Sequence, residues 1–389
     1  MRKLGFLTMA LAVALSAAVA GAQPFKMPRT LAWTAYDVGS AGYIQAASIG
    51  HAMGKEGVTL RVVPAGNDVS RQAPLASGRV QFGALGGAAF LSQEGVLDFS
   101  NTDWGPQTVR ILGAAWGDFN TGNVAAAADA GIKTVFDLKG KRLAWVAGAP
   151  ALNSNMEAFL ACANLTWNDV KKVDFPSWGA SARAVVEGTA DAYIASTNSG
   201  LVYELAASPR GYVAPSVPSP KEDPACWKRL QKVAPHFEYH EAAVGAGGIS
   251  REKPHKGATY GYPIITTYAS QNADLVYHQT RMVYDLLNDY VGAHPGNNGF
   301  ALERQVLKWV MPYHDGAIRY FKEKGVWKDE HQKHNDALVR RQDVLQKAWD
   351  RAIGEASEKK IPLKEFSKHW MQVRAGALRE AGLEPYWEP

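Results

Sequence analysis

The chain has 389 residues, 47% hydrophobic and 20% charged, an ordinary globular balance on a length that suits a two-lobed body better than one small core. Of its 42 Lys and Arg residues, Arg2 and Lys3 belong to an N-terminal leader, leaving 40 cations against 37 anions, too small a surplus for a nucleic-acid footprint. Two cysteines, Cys162 and Cys226, with no Cys-x-x-Cys spacing, exclude a structural zinc site of the usual kind and leave either a disulfide or two buried thiols.

The leader is read first. Arg2 and Lys3 precede an apolar run over 4–19, and Ala20-Gly21-Ala22 closes it. This is the pattern of a cleaved secretory signal peptide over 1–22, with cleavage after Ala22 and a periplasmic mature protein. The run is short for a bilayer span, and no later segment is apolar for long enough to make one. Outside the cytoplasm ATP and NADH are scarce, so binding proteins and hydrolases lead and no cofactor is expected.

From residue 31 the text alternates strand, glycine-bearing turn and helix. Strands are expected over 31–34, 58–63 and 81–85, each followed by a turn (38–42, 64–68, 86–87) and a helix, as in a parallel sheet with crossover helices. A second series follows 118–122: strands over 142–146, 173–175 and 192–195, with helices after 148–150 and 178–181. The stretch 209–224 is rich in Pro and Ser and reads as loop. After 245–248 the chain returns to strand text over 262–268 and one long helix over 273–291. The expected layout is α/β in two lobes around a cleft: lobe I from 23–120 and 248–328, lobe II from 121–247, with hinges near 118–123 and 244–250. The tail over 329–389 is densely charged. Leu338, Leu345, Trp349 and Ala352 share one helical face, and Phe366, Trp370, Val373 and Ala377 share another, so two helices should pack onto the body.

Several motifs together resemble one family. They are the Gly/Ser turn with Tyr43, Ala65-Gly66-Asn67-Asp68, Ser77-Gly78-Arg79-Val80-Gln81-Phe82-Gly83, Asp137-Leu138-Lys139-Gly140-Lys141-Arg142, Gly188-Thr189-Ala190-Asp191-Ala192-Tyr193 and, most specific, the Pro-x-His-x-Gly-Ala-x-x-Tyr ending from Pro312 to Gly325. The chain over 31–325 resembles the TAXI family of solute receptors, the extracytoplasmic binding subunits of one class of TRAP transporters. The resemblance implies a type II periplasmic binding protein fold with a hinge and an interlobe cleft. It also implies a glutamate-like amino acid or organic acid (a dicarboxylate or keto acid) as ligand, and an ion-driven membrane permease of small and large subunits as partner. Two turns depart from the family: Gly42 and Ile44 stand where it has a second Tyr and a Pro, and Gly66-Asn67-Asp68 where it has Gly-Gly-Ser. Specificity therefore does not carry over with the fold. The alternatives are the binding protein of an ABC importer, such as the related taurine, nitrate and pyrimidine-precursor receptors, and a periplasmic enzyme on the same scaffold.

Ligands of open α/β sheets bind outside the carboxyl ends of the strands, where helix N-termini offer unpaired N–H groups to anions. The candidate ligand-binding residues are therefore on the strand-end loops: Tyr36, Asp37, Ser40 and Tyr43; Asn67, Asp68 and Arg71; Gly86 and Gly87; Asn153; Trp178 and Ser181; Thr197 and Asn198. Tyr43 either closes on the ligand or packs on its lobe. Asp37 and Asp68 suit a ligand ammonium, although Asp68 suits a helix N-cap equally well. Arg71 is either a carboxylate fork or a surface arginine, and Trp178 a flat wall or a core residue. Asn153 and Asn198 offer both donor and acceptor, or merely form turns. No Gly-x-Ser-x-Gly, His-Glu-x-x-His or Walker-type sequence argues for an enzyme. His236 with His240, and His331 with His334, are pairs without a third metal ligand.

Overall fold

The computed structural model describes residues 25–388; the signal segment expected over 1–22 lies outside them. No helix among the described residues is long and apolar enough to cross a membrane.

Two five-stranded sheets form the two lobes. The first is built from β1 (Thr30–Tyr36), α1 (Ala41–Met53), β2 (Thr59–Ala65), α2 (Asp68–Ala76), β3 (Phe82–Leu85), α3 (Ala88–Glu94) and β4 (Val109–Ala114). The chain then crosses to β5 (Asn123–Ala127), β6 (Arg142–Val146), α4 (Pro150–Cys162), β7 (Lys171–Phe175), α5 (Trp178–Glu187), β8 (Ala192–Ala195), α6 (Gly200–Ala207), β9 (Tyr212–Val213) and α7 (Pro224–Val233). It returns through an antiparallel ribbon, β10 (Glu238–Ala242) and β11 (His255–Thr259), to β12 (Ile264–Tyr268), α8 (Ala273–Asp285), α9 (Leu287–Tyr290) and α10 (Asp315–Glu323). Sheet order is β2-β1-β3-β12-β4 in the first lobe and β7-β6-β8-β5-β9 in the second. In each, four strands run in one direction and the strand that has just crossed from the other lobe inserts antiparallel. One plan is used twice, so both lobes turn the carboxyl ends of their parallel strands toward the gap between them.

Local chemistry sets the helix starts. Ser40 caps α1 by accepting from Tyr43 N, Ser177 caps α5 through Ala180 N, and Asn67 caps α2 with Ser70 returning the bond, each satisfying N–H groups that a first turn leaves open. The crossings are tied together rather than loose. Ala243 N and Val244 N both donate to Asp118 O, and Asn120 Nδ2 reaches His240 O at 3.3 Å and His255 O at 3.1 Å. Cys162 at the end of α4 is disulfide-bonded to Cys226 in α7.

The structure differs from the sequence pattern at several points, among them the unforeseen strands β4 and β5 and the helix α7. The single helix expected over 273–291 ends at Asp285 and restarts at Leu287. The loop expected over 209–224 contains β9, and the ribbon β10–β11 was not foreseen, because its residues alternate too weakly to read as strands. The strand expected from 262 begins at Ile264, after a cis Tyr262–Pro263 bond that turns the chain into the sheet.

The charged tail forms α11 (Asp329–Glu358) and α12 (Leu363–Glu380), a helical hairpin around Leu345, Ala348, Phe366, Trp370 and Leu378. It docks on the first lobe through a buried ionic knot. Glu94, at the end of α3, takes Arg341 Nε and Nη2 at 2.7 and 2.8 Å, and also binds Arg374 Nη2. Trp370 Nε1 donates to Gly95 O at 2.6 Å. Beyond α12 the tail reaches the second lobe, where Trp387 Nε1 donates to Val233 O at 3.0 Å.

Burial opposes ionisation of Glu94, but the hydrogen bonds from Arg341 and the charge of Arg374 hold its carboxyl below the ordinary glutamate value. A depressed folded value stabilises the protein above the unfolded pKa and loses that contribution as pH falls through the folded one. Glu94→Gln, which leaves two guanidinium groups buried without their anion, should therefore lose about 3–5 kcal/mol at neutral pH. The difference from the wild type should shrink below about pH 4, near the free glutamate value, as read from urea unfolding at a series of pH values.

Candidate functional site

The α2 segment Asp68-Val69-Ser70-Arg71 places an acid and a base one helical turn apart, pointing inward. Both side chains are 0% exposed. Arg71 Nη2 donates to Asp68 Oδ1 at 2.8 Å, and its guanidinium lies over the Tyr36 ring, 3.7 Å from the centroid. Tyr36 Oη donates to the same Asp68 oxygen. Burial, then the neighbouring carboxylate, push the Tyr36 phenol well above its usual range, so it stays a donor. Burial disfavours the Arg71 charge, but Tyr36 and Asp68 outweigh it and the guanidinium stays protonated.

The other Asp68 oxygen leaves the lobe: Oδ2 accepts from Ala151 N in the first turn of α4 at 2.8 Å. The same device recurs across the gap. Asp37 Oδ2 accepts from Gly179 N at 3.0 Å and Gly66 O from Trp178 N at 2.9 Å, both at the start of α5. Gly39 O accepts from Gly200 N, where α6 begins, at 3.0 Å. Three second-lobe helix N-termini, each with partial positive charge, thus receive acceptors from the first lobe. The lobes are closed on one another.

Behind these contacts lies a small cavity: water-sized groups can centre within about 30 Å³, inside about 410 Å³ of atom-free space that takes in the solvent-open mouth. The first lobe contributes Tyr36, Ser40, Arg71, Gly86 and Gly87. The second contributes Ala151, Leu152, Asn155, Trp178, Ile194 and Ser196, and the crossings contribute Thr121, Gly122, Tyr260 and Tyr262. Gly122 has φ +68°, and a Cβ there would sit 2.5 Å from Asn155 Nδ2, so any other residue would both strain the backbone and fill the cavity. The lining includes no His, Asp or Glu. Asn155 is 1% and Thr121 2% exposed. Both polar atoms of the Asn155 amide, Thr121 Oγ1 and Arg71 Nε have no hydrogen-bond partner among the described residues. Buried polar atoms are rarely left so.

Of the residues singled out in the sequence, Tyr36, Ser40, Arg71, Gly86, Gly87 and Trp178 meet at this cavity. Trp178 is both wall and core, with Nε1 donating to Ile194 O at 2.8 Å. Asp68 sits behind Arg71, and Asp37 bridges the lobes outside the lining. Asn67, not Asp68, is the α2 cap. Tyr43 packs on the first-lobe core. Asn153 is bonded both ways to the Val146 backbone, at 3.0 and 2.9 Å, and Ser181 Oγ donates to Trp178 O within its own helix. Thr197 Oγ1 joins Asn120 N to Val244 O at the crossings. Asn198 lies against the Gly296 segment of the first lobe. Residues that local reasoning passed over are Asn155, Thr121, Gly122, Tyr260 and Tyr262. Asn155 had a legible signal, one turn beyond Ala151 on the same helix face. The tyrosines alternate along an extended segment whose place is set by the crossings, and no local pattern marks them.

Neither histidine pair gathers a third metal-ligating side chain among the described residues. Burial depresses His236 to about 3, His240 Nδ1 lies 2.8 Å from Asn120 Oδ1, and His334 bonds Trp309 O. No group of three or more His, Cys, Asp or Glu poised for a metal occurs among the described residues.

A model of the NMT1-like family matches residues 37–325. Among solved structures, a protein from Bordetella bronchiseptica RB50 is 14% identical, with a TM-score of 0.42 over 80% of this chain and 98% of that one. An ABC transporter/periplasmic binding protein from Brucella ovis with glutathione bound is 15% identical, with a TM-score of 0.41 over 67% and 68%. The alkanesulfonate-binding protein SsuA from Xanthomonas axonopodis pv. citri, bound to MOPS, is 13% identical, with a TM-score of 0.37 over 78% and 96%. Likeness at this level carries neither ligand nor partner.

Asp68→Ala should cost about 3–5 kcal/mol, because it strands the Arg71 charge in the interior. Asp37→Ala, at a half-exposed bridge, should cost about 1 kcal/mol or less. Urea unfolding of the two variants beside the wild type measures both.

Proposed function

Because the chain belongs to the NMT1-like family, we propose that it is a periplasmic solute-binding receptor that captures a small organic acid or amino acid between its lobes and delivers it to a membrane permease. The observation that carries this is the closed cleft. Strand-end loops of both lobes meet around one small cavity holding buried, unpartnered polar atoms. A ligand with stronger contacts in the closed form than in the open one shifts the population toward closure, and the closed outline is what a permease would recognise. An enzymatic reading would need a nucleophile with a base beside it. The hydroxyls of Ser40, Ser196 and Ser199 have no His or carboxylate among the lining residues to activate them.

For the partner, the reading is a TRAP-type permease of the class served by TAXI receptors. Its support is the run from Pro312 to Gly325, inside the span the family matches. Part of that run answers to packing: His314 caps α10 by accepting from Gly316 N at 3.1 Å, and a Cβ on Gly316 would lie 2.3 Å from Ala273 O. The run therefore speaks more for the lobe than for the permease, and an ABC importer is the competing reading.

Two measurements test these levels separately. In a thermal-shift screen of amino acids and C3–C6 acids, a true ligand at 100 times its Kd should stabilise the purified protein by about 2.7 kcal/mol; no shift across the screen contradicts the receptor reading. In vesicles carrying the cognate permease, uptake should need the protein and an ion gradient and should survive ATP depletion. Uptake that survives gradient collapse but needs ATP assigns the protein to an ABC importer instead.

A further inference from the structure

We infer that the captured solute is a small monocarboxylic acid without an ammonium group, carrying a hydroxyl or oxo oxygen near its carboxylate. The inference rests on the receptor reading above and is drawn from the atoms the cavity leaves uncommitted.

Arg71 is the sole cationic side chain lining the cavity. Its Nη2 is held by Asp68 and its Nη1 lies 3.4 Å from Ala84 O, while Nε has no partner among the described residues. An acceptor is wanted there, and a carboxylate oxygen meets an arginine N–H with a charge-assisted bond. The Asn155 amide and the Thr121 hydroxyl, both buried and without a hydrogen bond within 3.5 Å, supply donors and acceptors for neutral oxygens near that carboxylate, with the Tyr260 hydroxyl beside the amide.

The same accounting argues against an amino acid. An α-ammonium brings three donors and a charge, and needs a carboxylate close by. Asp68 has none to give: one oxygen serves Tyr36 and Arg71, the other Ala151 N. Asp37 faces Gly179 N and does not line the cavity. An ammonium there would face the Arg71 cation, and what could accept from it is neutral: the Asn155 carbonyl and hydroxyls such as those of Ser40, Thr121 and Ser196. A second ligand carboxylate fares no better. Beyond Asn155 the walls are Trp178, Leu152 and Ile194, without another cation, and an unpaired buried charge is strongly disfavoured. Arg183, the nearest cation in α5, is exposed. The apolar walls suit a short apolar tail.

The test is isothermal titration calorimetry of the full-length exported protein with series matched in carbon skeleton from C3 to C6. Each series holds the 2-hydroxy acid, the 2-oxo acid, the 2-amino acid, the primary amide of the hydroxy acid, and the dicarboxylic acid. In at least one series the hydroxy or oxo monoacid should bind at least tenfold more tightly than the amino acid, the amide and the diacid. Asn155→Ala should weaken that binding at least tenfold, with the urea unfolding midpoint showing that the variant is folded. Asn155→Asp, which places a carboxylate in the cavity, should reject the monoacid and narrow or reverse its advantage over the amino acid. An amino acid, amide or diacid that binds the wild type as tightly as the monoacid overturns the inference and leaves the receptor reading standing. So does capture of a neutral sugar or a peptide in place of any acid. Failure of every solute class to bind overturns the receptor reading itself.

Discussion

The structure turns on acceptors of the first lobe that seat on helix N-termini of the second. Asp68 is the most buried of them, binding Tyr36 and Arg71 within its own lobe and Ala151 N across the gap. Helix starts expose N–H groups and a partial positive charge, so a carboxylate placed there is stabilised without a second cation. Asp37 on α5 and Gly39 O on α6 repeat the pattern at the rim. The amide-rich helix ends that would have suited a ligand anion are thereby largely engaged by the chain itself. In the receptor reading, what remains for the solute is narrower: one guanidinium edge, one amide and the hydroxyls of the lining.

In the receptor reading closure has to be reversible, and the fold separates what would hold from what would open. The interior of each lobe is held by parallel strands and buried helices, and the disulfide between Cys162 and Cys226 ties α4 to α7 within the second. The bonds between lobes at the rim are few, and several are backbone to backbone, each of modest net worth. In the receptor reading the crossings would carry the bending, and Asn120, Thr197 and the β10–β11 ribbon tie the outward and return paths together. The C-terminal hairpin adds mass to the first lobe through Glu94 and sets Trp387 against Val233 of the second, so opening must also break or carry that contact.

Much of this was legible in the sequence. The alternation of strand, glycine turn and helix dictates two α/β lobes, and the apolar stripes holding Leu345 and Trp370 announce helices that pack. Asp68 and Arg71 were each legible as candidates, one for a ligand ammonium or a helix cap and the other for a carboxylate. What the sequence did not reveal was their mutual burial, which turned a candidate fork for the ligand into a neutral pair with a single free edge. Asn153 and Asn155 show the same limit. Both lie in the first turns of α4, but the loop folds back so that Asn153 is bonded to Val146 while Asn155 faces the cavity. Tyr260 and Tyr262 come from 140 residues away along the chain from Thr121 and Gly122, beside which they line the cavity, and contacts of that range have no local signature. Tyr43 misled for the opposite reason: a motif position carried an aromatic residue whose partner here is the lobe, not the cleft.

Closure driven by what occupies the cleft is the claim on which the rest stands, and the distance between the lobes measures it. Spin labels at Lys55 in the first lobe and Lys139 in the second, both exposed, report that distance by pulsed electron paramagnetic resonance. A saturating solute should collapse a broad distribution onto one short distance, and Asp37→Ala should widen the distribution in the absence of solute. A single distance that neither the solute nor the substitution alters would contradict the account.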